Sequence, residues 1–339
     1  MIIQVKKDIT EAQKERLIKD INRVGYKITE VSTQKGTYLV GIGSTEFDIR
    51  KFGHHEGIQD IHIVSDAYKL VSKKWKVNPT SIDLGDGVYI KEGDMAVMAG
   101  PCSIESEEQI VKVIDHLKAN DIKIMRGGVY KPRSSPYAFR GLGIEGLKLW
   151  HELASKAGIK IITEVMQVSQ IEEMMDYVDV FQVGARNTQN FNLLDELGKV
   201  DKPVMIKRGI SGTIEELLQS AEYVFSGGNE KLILCERGIR TYEKATRNTL
   251  DLNAVPVLKD KSHLPVVVDP SHGIGIRKFV HQMALAGVMA GADGIIYEAH
   301  EIPEKAYSDG QQTLDFAQSA QLASQIRQTF AMRKTFDLL

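Results

Sequence analysis

From residue 95 onward the chain repeats one pattern eight times: a short apolar run, a polar stretch, then a segment with apolar residues at helical spacing. The runs read MAVMAG, IKIMRG, IKIITEV, VFQVGA, PVMIKRG, KLILCERG, LPVVVDPS and GIIYEAH. Continuous apolar runs of this length are strands buried on both faces. Strands that alternate with helices pair in parallel, because each crossover helix returns the chain to the same end of the sheet. Eight such units suit closure into a (β/α)8 barrel. An open doubly wound sheet also alternates strands and helices, but no G-x-G-x-x-G follows the first run. Capping boxes mark the helices: Ser106 with Gln109, Ser169 with Glu172, Thr213 with Glu216. Helical spacing follows in Ile110, Val113, Ile114 and Leu117, and again in Ile171, Met174, Met175 and Val178.

The front of the chain has a different rhythm. Residues 1–68 read strand, helix, strand, strand, short helix, strand, the order of a ferredoxin-like α+β sandwich. Its first helix opens with Thr10 and Gln13 as a capping box. Residues 69–80 read as a basic, proline-containing, flexible linker, and 81–339 as the α/β barrel, entered through a hairpin that turns at Asp86-Gly87.

Composition narrows the function. A net charge of -2 on 339 residues argues against nucleic acid as a partner, so any basic cluster must be local. No run approaches membrane-spanning length, and the start, MIIQVKKDIT, lacks the apolar core of a signal peptide. Two cysteines make no disulfide framework. The expectation is a cytoplasmic protein.

In a closed parallel barrel the carboxyl ends of the strands meet at one rim, where active sites are built. The ends of the eight runs carry Cys102, Arg126, Glu164, Arg186, Lys207, Glu236 with Arg237, His272 and Glu298. The loop KPRSSPYAFRGLG adds Lys131 and Arg133. Alone it reads as a solvated surface loop, but this many cations beside buried strands need compensating anions. A ligand with several phosphates or carboxylates is expected. A second group, Cys102, His272, Glu298 and Asp309, comes from the first, seventh and eighth units, which closure makes neighbours. One thiol, one imidazole and two carboxylates suit a divalent transition metal. The plain readings are a packed cysteine and a structural histidine, with His300 a rival ligand if it shares a face with Glu298. Cys235 reads as core. His54 and His55 read as solvent-facing.

AGPCS, RGGVYKPRSSPYAFRGLG, QVGARNTQNF, IKRG, CERGIRTYEKATRNTLD, DPSHG and EAHEIPEKAYSDG occur in that order across the barrel. They resemble the 3-deoxy-D-arabino-heptulosonate 7-phosphate (DAHP) synthases. The front end resembles the ACT-like regulatory extension on one branch of that family. The resemblance implies condensation of phosphoenolpyruvate with erythrose 4-phosphate, the first step of the shikimate pathway. It implies that Arg126, Lys131, Arg186, Lys207 and Arg237 bind phosphoenolpyruvate. Lys131, Pro132, Arg133 and Ser134 would hold the aldose, and Cys102, His272, Glu298 and Asp309 one divalent ion such as manganese, iron, cobalt or zinc. Catalytic roles fall to Lys131, Glu164 and His272, with Glu164 orienting water or relaying protons. An aromatic amino acid effector and a homo-oligomer, a tetramer by resemblance, are also implied. Ser134 replaces the threonine of many relatives, and Ile276 stands where a basic residue is frequent. The competing enzyme is the sister synthase that uses arabinose 5-phosphate, whose aldose loop resembles K-A-N-R-S. A metal-dependent barrel aldolase leaves the second set of cations unexplained, and an inert sensor barrel leaves the intact strand ends unexplained.

Overall fold

The computed structural model describes residues 1–43, 48–53, 55–131, 137 and 139–336. Four strands, β1 (Ile2–Val5), β2 (Lys27–Ser32), β3 (Thr37–Ile42) and β4 (Ile58–His62), form an antiparallel sheet in the order β2-β3-β1-β4. Helix α1 (Glu11–Arg23) packs on it, burying Leu17 and Ile21 against Ile3, Val5 and Leu39. Its capping box is complete, with Thr10 and Gln13 exchanging side-chain and backbone bonds. The expected second helix is, among the described residues, a single 3-10 turn at Ile49–Lys51.

A two-stranded hairpin follows, β5 (Ile82–Asp83) with β6 (Tyr89–Ile90). Asp86 and Gly87 both take positive φ, 53° and 76°, as the tight turn there requires. Eight strands then close the parallel barrel: β7 (Ala96–Gly100), β8 (Ile124–Gly127), β9 (Lys160–Val165), β10 (Val180–Val183), β11 (Val204–Lys207), β12 (Leu232–Glu236), β13 (Val266–Val268) and β14 (Gly294–Glu298). β14 pairs with β7, completing the ring. The surrounding helices are α2 (Glu107–Ala119), α3 (Gly143–Lys156), α4 (Ser169–Met174), α5 (Phe191–Gly198), α6 (Ile214–Ser226), α7 (Ala254–Lys261), α8 (Pro270–Ile274), α9 (Arg277–Met289) and α10 (Phe316–Arg333). None is long and apolar enough to cross a membrane.

Two of the expected caps hold: Ser106 accepts from the Gln109 backbone, and Thr213 with Glu216 forms a full box. Ser169 does not cap α4, which starts from Val168 without a side-chain cap. The Ser169 hydroxyl instead accepts from Gln167, and Gln170 turns back to the Met166 N–H, so the local bonds serve the preceding loop.

The strands bury both faces. Outward residues such as Val97, Ile161, Phe181, Ile206, Leu234 and Val268 pack under the helices. Inward ones, among them Met98, Ile124, Ile162, Met205, Ile233 and Val267, fill the barrel together with Ile82 and Ile90 of the hairpin. Each such side chain contributes about 1.5–3 kcal/mol when fully buried. The hairpin lies before β7, on the amino-terminal side, and so forms the floor.

Residues 69–80 are not a flexible connector. Three successive backbone N–H groups, of Lys69, Leu70 and Val71, donate to the Glu222 carboxylate on α6 at 2.9–3.0 Å. Buried His263 accepts from the Thr80 hydroxyl at Nδ1 (2.7 Å) and donates from Nε2 to the Leu70 carbonyl (2.9 Å). Burial pushes the His263 pKa down to about 3, which suits this neutral bridging role. Farther on, the β2–β3 turn meets Glu230, just before β12: Thr33 hydrogen-bonds its carboxylate, and the Lys35 and Lys76 ammonium groups lie 3.7 and 3.6 Å away. Ile2, Val31, Tyr38 and Val40 join Trp75 and Phe225 in one apolar cluster. The small sheet thus rests against α6 and the amino-terminal end of the barrel.

Candidate active site

Side chains alternate along a strand, so the inward set continues two residues at a time toward the carboxyl end. Above the apolar layers the inward positions become Arg126, Glu164, Gln182, Lys207, Arg237, Asp269 and Glu298. A single polar layer therefore caps an apolar barrel, and a pocket opens on it. Its lining includes Arg126, Lys131, Glu164, Gln182, Arg186, Lys207, Arg237, Arg240, Arg247, Asn248, His272 and Asp309.

The cationic half is held by few acids. Arg126 donates from Nη1 to the Pro101 carbonyl (3.0 Å) and to Glu298 (3.1 Å), while its buried Nε has no partner among the described residues. Lys207 pairs with Asp269. Arg237 is 5% exposed and, among the described residues, donates only to the Gly238 carbonyl, at 3.2 Å. Burial lowers its pKa, an unfavourable setting for a guanidinium that a bound anion would relieve. Arg186 differs in being exposed, on the loop before α5. Glu164 reaches the pocket over Gly184: a Cβ there would lie 2.0 Å from Oε1.

The other half gathers metal-type donors. Cys102 Sγ, Glu298 and Asp309 offer ligand atoms within 4.8 Å of one another. His272 extends the group, with Nε2 3.4 Å from Glu298 Oε1. Its Nδ1 donates to Asp269 Oδ2 at 2.8 Å, which fixes the ring as ligating histidines usually require. Burial works against ionisation of Asp269, but His272, Lys207 and Arg126 outweigh it and hold the carboxyl well below its usual range. The Cys102 thiol donates to Asp309 Oδ2 (3.2 Å), and Lys131 Nζ lies 3.0 Å from the sulfur. Burial, then Glu298, push this thiol up to about 11, with Lys131 opposing. Soft sulfur, imidazole and two carboxylates at this spacing fit a divalent transition metal.

Several expectations change. Glu236 points outward, its parity being opposite to Arg237; it accepts from Arg208 (2.9 Å) and from the Gly238 N–H (2.6 Å). Arg208 also donates to the half-buried Asp251, so these three residues brace the loop carrying Arg237. His300 is no rival ligand: β14 ends at Glu298, and His300 Nδ1 accepts from the Ile302 N–H at 2.9 Å. Cys235 lies in the barrel core, as expected. His55 is half-buried, 3.7 Å from Asp20, while His54 lies outside the described residues. Pro132, Arg133 and Ser134 also lie outside them. The strand-end reading missed Gln182, Arg240, Arg247, Asn248 and Asp269.

A closed (β/α)8 barrel whose carboxyl-end pocket sets cations beside a cysteine, histidine and carboxylate cluster has the layout of a barrel enzyme for anionic ligands. The sequence matches the DAHP synthetase I family over residues 75–335. It is 44% identical to the phospho-2-dehydro-3-deoxyheptonate aldolase of Thermotoga maritima over 96% of this chain and 97% of that protein. The crystal structure of that aldolase superposes with a TM-score of 0.78, at 42% identity and 98% coverage of both chains. A truncated 3-deoxy-D-arabino-heptulosonate 7-phosphate synthase from Thermotoga maritima matches with a TM-score of 0.73 and 45% identity, over 78% of this chain and 98% of that one. A 2-dehydro-3-deoxyphosphooctonate aldolase of Syntrophobacter fumaroxidans is 30% identical over 68% of this chain and 85% of its own length. The chain belongs to the DAHP synthetase I family.

Proposed function

We propose that the chain is a DAHP synthase that joins phosphoenolpyruvate to erythrose 4-phosphate and releases inorganic phosphate, working with one divalent metal ion. The observation that carries this reading is the one pocket in which Arg126, Lys131, Arg186, Lys207 and Arg237 adjoin the Cys102, His272, Glu298 and Asp309 group. Arg126, Lys131, Arg186, Lys207 and Arg237 are assigned to the phosphate and carboxylate of phosphoenolpyruvate. Pro132, Arg133 and Ser134 are assigned, with Lys131, to the aldose.

A bound metal would supply Lewis acidity at the aldehyde oxygen. The remaining work falls to the protein. The cations hold phosphoenolpyruvate so that its methylene carbon meets the aldehyde carbon, which converts an encounter into an oriented step. As that bond forms, positive character develops at the carbon bearing phosphate. Water held by Glu164 adds there, its proton passing by way of the Glu164 carboxylate to the former aldehyde oxygen, and the hemiketal phosphate collapses by carbon–oxygen cleavage, its hydroxyl proton leaving with the phosphate, to the ketone and inorganic phosphate. Asp269 holds His272 and Lys207 in place on either side of the pocket floor.

Purified protein should turn over erythrose 4-phosphate with phosphoenolpyruvate, and arabinose 5-phosphate about 100-fold less well, since a site fitted to the shorter aldose must accommodate one extra carbon. Equal kcat/KM for the two aldoses would favour the octulosonate alternative instead.

Residues 1–68 contribute none of the pocket lining described above and are assigned to control, with 69–80 joining them to the catalytic unit at 81–339 and an aromatic amino acid as effector in a homo-oligomer. Covering the mouth of the same subunit would require the contacts at Glu230 to break, because they hold the small sheet at the opposite end. A chain beginning at Lys69 keeps the Glu222 and His263 contacts and should retain activity while losing inhibition by tyrosine or phenylalanine. Steady-state assays with each amino acid at millimolar concentration check this, and an intact enzyme indifferent to all aromatic amino acids would overturn the regulatory assignment.

A further inference from the structure

The loop from Arg237 to Asp251, between β12 and α7, serves both halves of the site. Its Arg237 and Arg240 line the cationic pocket. Its far end rests on the metal-type donors. Arg247 Nη1 lies 3.3 Å from Asp309 Oδ1 and donates to Gln312 Oε1 at 2.8 Å. Gln312, fully buried, passes the contact on, its Nε2 donating to Glu298 Oε2 at 2.7 Å. The neighbouring Asn248 donates to the His272 carbonyl at 2.9 Å. Three of the four donor residues are therefore touched, directly or through one amide, by two consecutive residues of one loop.

The placement of Arg247 is itself built in. Its backbone N–H donates to the Ile274 carbonyl at 3.1 Å. Its side-chain stem lies against Gly275, where any Cβ would come within 2.4 Å of Arg247 Cβ and where φ is +71°. Asp309 takes a left-handed backbone, φ 53°, a conformation aspartate tolerates better than most residues.

We infer that Arg247, acting with Gln312, is a positioning residue that orients the Asp309 and Glu298 carboxylates toward a metal and ties that geometry to occupancy of the anion pocket. The inference rests on the metal assignment made above. Two opposing effects give it a distinctive sign. A cation beside a divalent ion repels it, so removing the Arg247 charge would on electrostatic grounds alone tighten metal binding. Loss of an outer-shell partner that orients ligands weakens metal binding by about 10- to 100-fold. Orientation predicts weakening in Arg247→Met, and also in Arg247→Lys, which keeps the charge but loses the planar fork.

The test is titration of the metal-stripped full-length protein with Mn2+, followed by electron paramagnetic resonance of the free ion, with and without saturating phosphoenolpyruvate. Expected are Mn2+ dissociation constants about 10- to 100-fold higher in both variants. The factor by which phosphoenolpyruvate tightens Mn2+ binding in the parent should also shrink, because the coupling between two sites is reciprocal and passes here through one loop. A parent protein that binds no metal would remove the metal assignment itself. A parent that binds Mn2+ while both variants bind it equally well or more tightly overturns the Arg247 inference alone. So does weakened phosphoenolpyruvate binding with unchanged Mn2+ affinity, which would make Arg247 an anion contact only. If Arg247→Met fails to fold by circular dichroism, Arg247→Lys decides the matter.

Discussion

Chelation of the purified protein should abolish condensation of phosphoenolpyruvate with erythrose 4-phosphate, and a divalent transition ion should restore it. In Cys102→Ala, restoration should require far more metal. The reason lies in the surroundings of Cys102. Its thiol is 3% exposed and sits between the Asp309 carboxylate and the Lys131 ammonium, with its pKa pushed up to about 11. A neutral buried thiol packed for its own sake would not need a cation at 3.0 Å. A thiolate bound to metal would have Lys131 as a ready charge partner. Removing the sulfur deletes a ligand, so the dissociation constant should rise by more than the roughly 10- to 100-fold that loss of an outer-shell partner costs. Cys102→Ser, a harder donor, should shift preference among added ions away from zinc and toward manganese. Full turnover of rigorously metal-free protein in chelator would refute the assignment.

The second large effect concerns Gly184. In Gly184→Ala the new methyl would sit 2.0 Å from Glu164 Oε1 and 2.6 Å from Cδ. The obstructed group is the end of a flexible side chain, so the carboxylate should swing aside while the strand stays in place. Stability should change little, with the thermal midpoint moving by roughly 2–4 °C, the shift expected for about 1 kcal/mol in a large domain. Activity should not survive as well. If Glu164 holds the water that adds to the phosphate-bearing carbon, a displacement of about 1 Å should cost on the order of 100-fold in kcat. Phosphoenolpyruvate affinity should change far less, because the cations are untouched. Glu164→Gln, assayed in parallel, should give a loss of the same order. A Gly184→Ala enzyme within threefold of the parent kcat would mean that Glu164 is a bystander.

The barrel was legible because each strand is buried on both faces and so reads as an uninterrupted apolar run. Most of the pocket was legible for a related reason: a charged residue just past such a run has little choice but to face the rim. What escaped did so for identifiable causes. Gln182 and Asp269 share the inward parity of Arg126 and Lys207, and counting by two from Val180 and Val267 would have found both; reading for charge at the last position instead selected Glu236, whose parity is outward. Arg240, Arg247 and Asn248 lie on a long loop with no period, where nothing in the spacing tells a solvated arginine from one folded back on Asp309. The packing of residues 69–80 was equally hidden, since its partners Glu222 and His263 are remote in sequence. His300 misled because alternation was carried past the point where the strand ends.

The hairpin floor has a consequence for traffic. Ile82 and Ile90 seal the amino-terminal end with apolar side chains, so ions and polar molecules have no path through the barrel. Everything that reacts, and everything released, must use one opening. Cys102 and Glu298 are buried and Arg186 is exposed, so a ligand reaching the buried donors would pass the exposed arginine. A ligand seated at the buried end would then have to arrive before one seated at the rim. Order of binding would then be a property of architecture as much as of affinity.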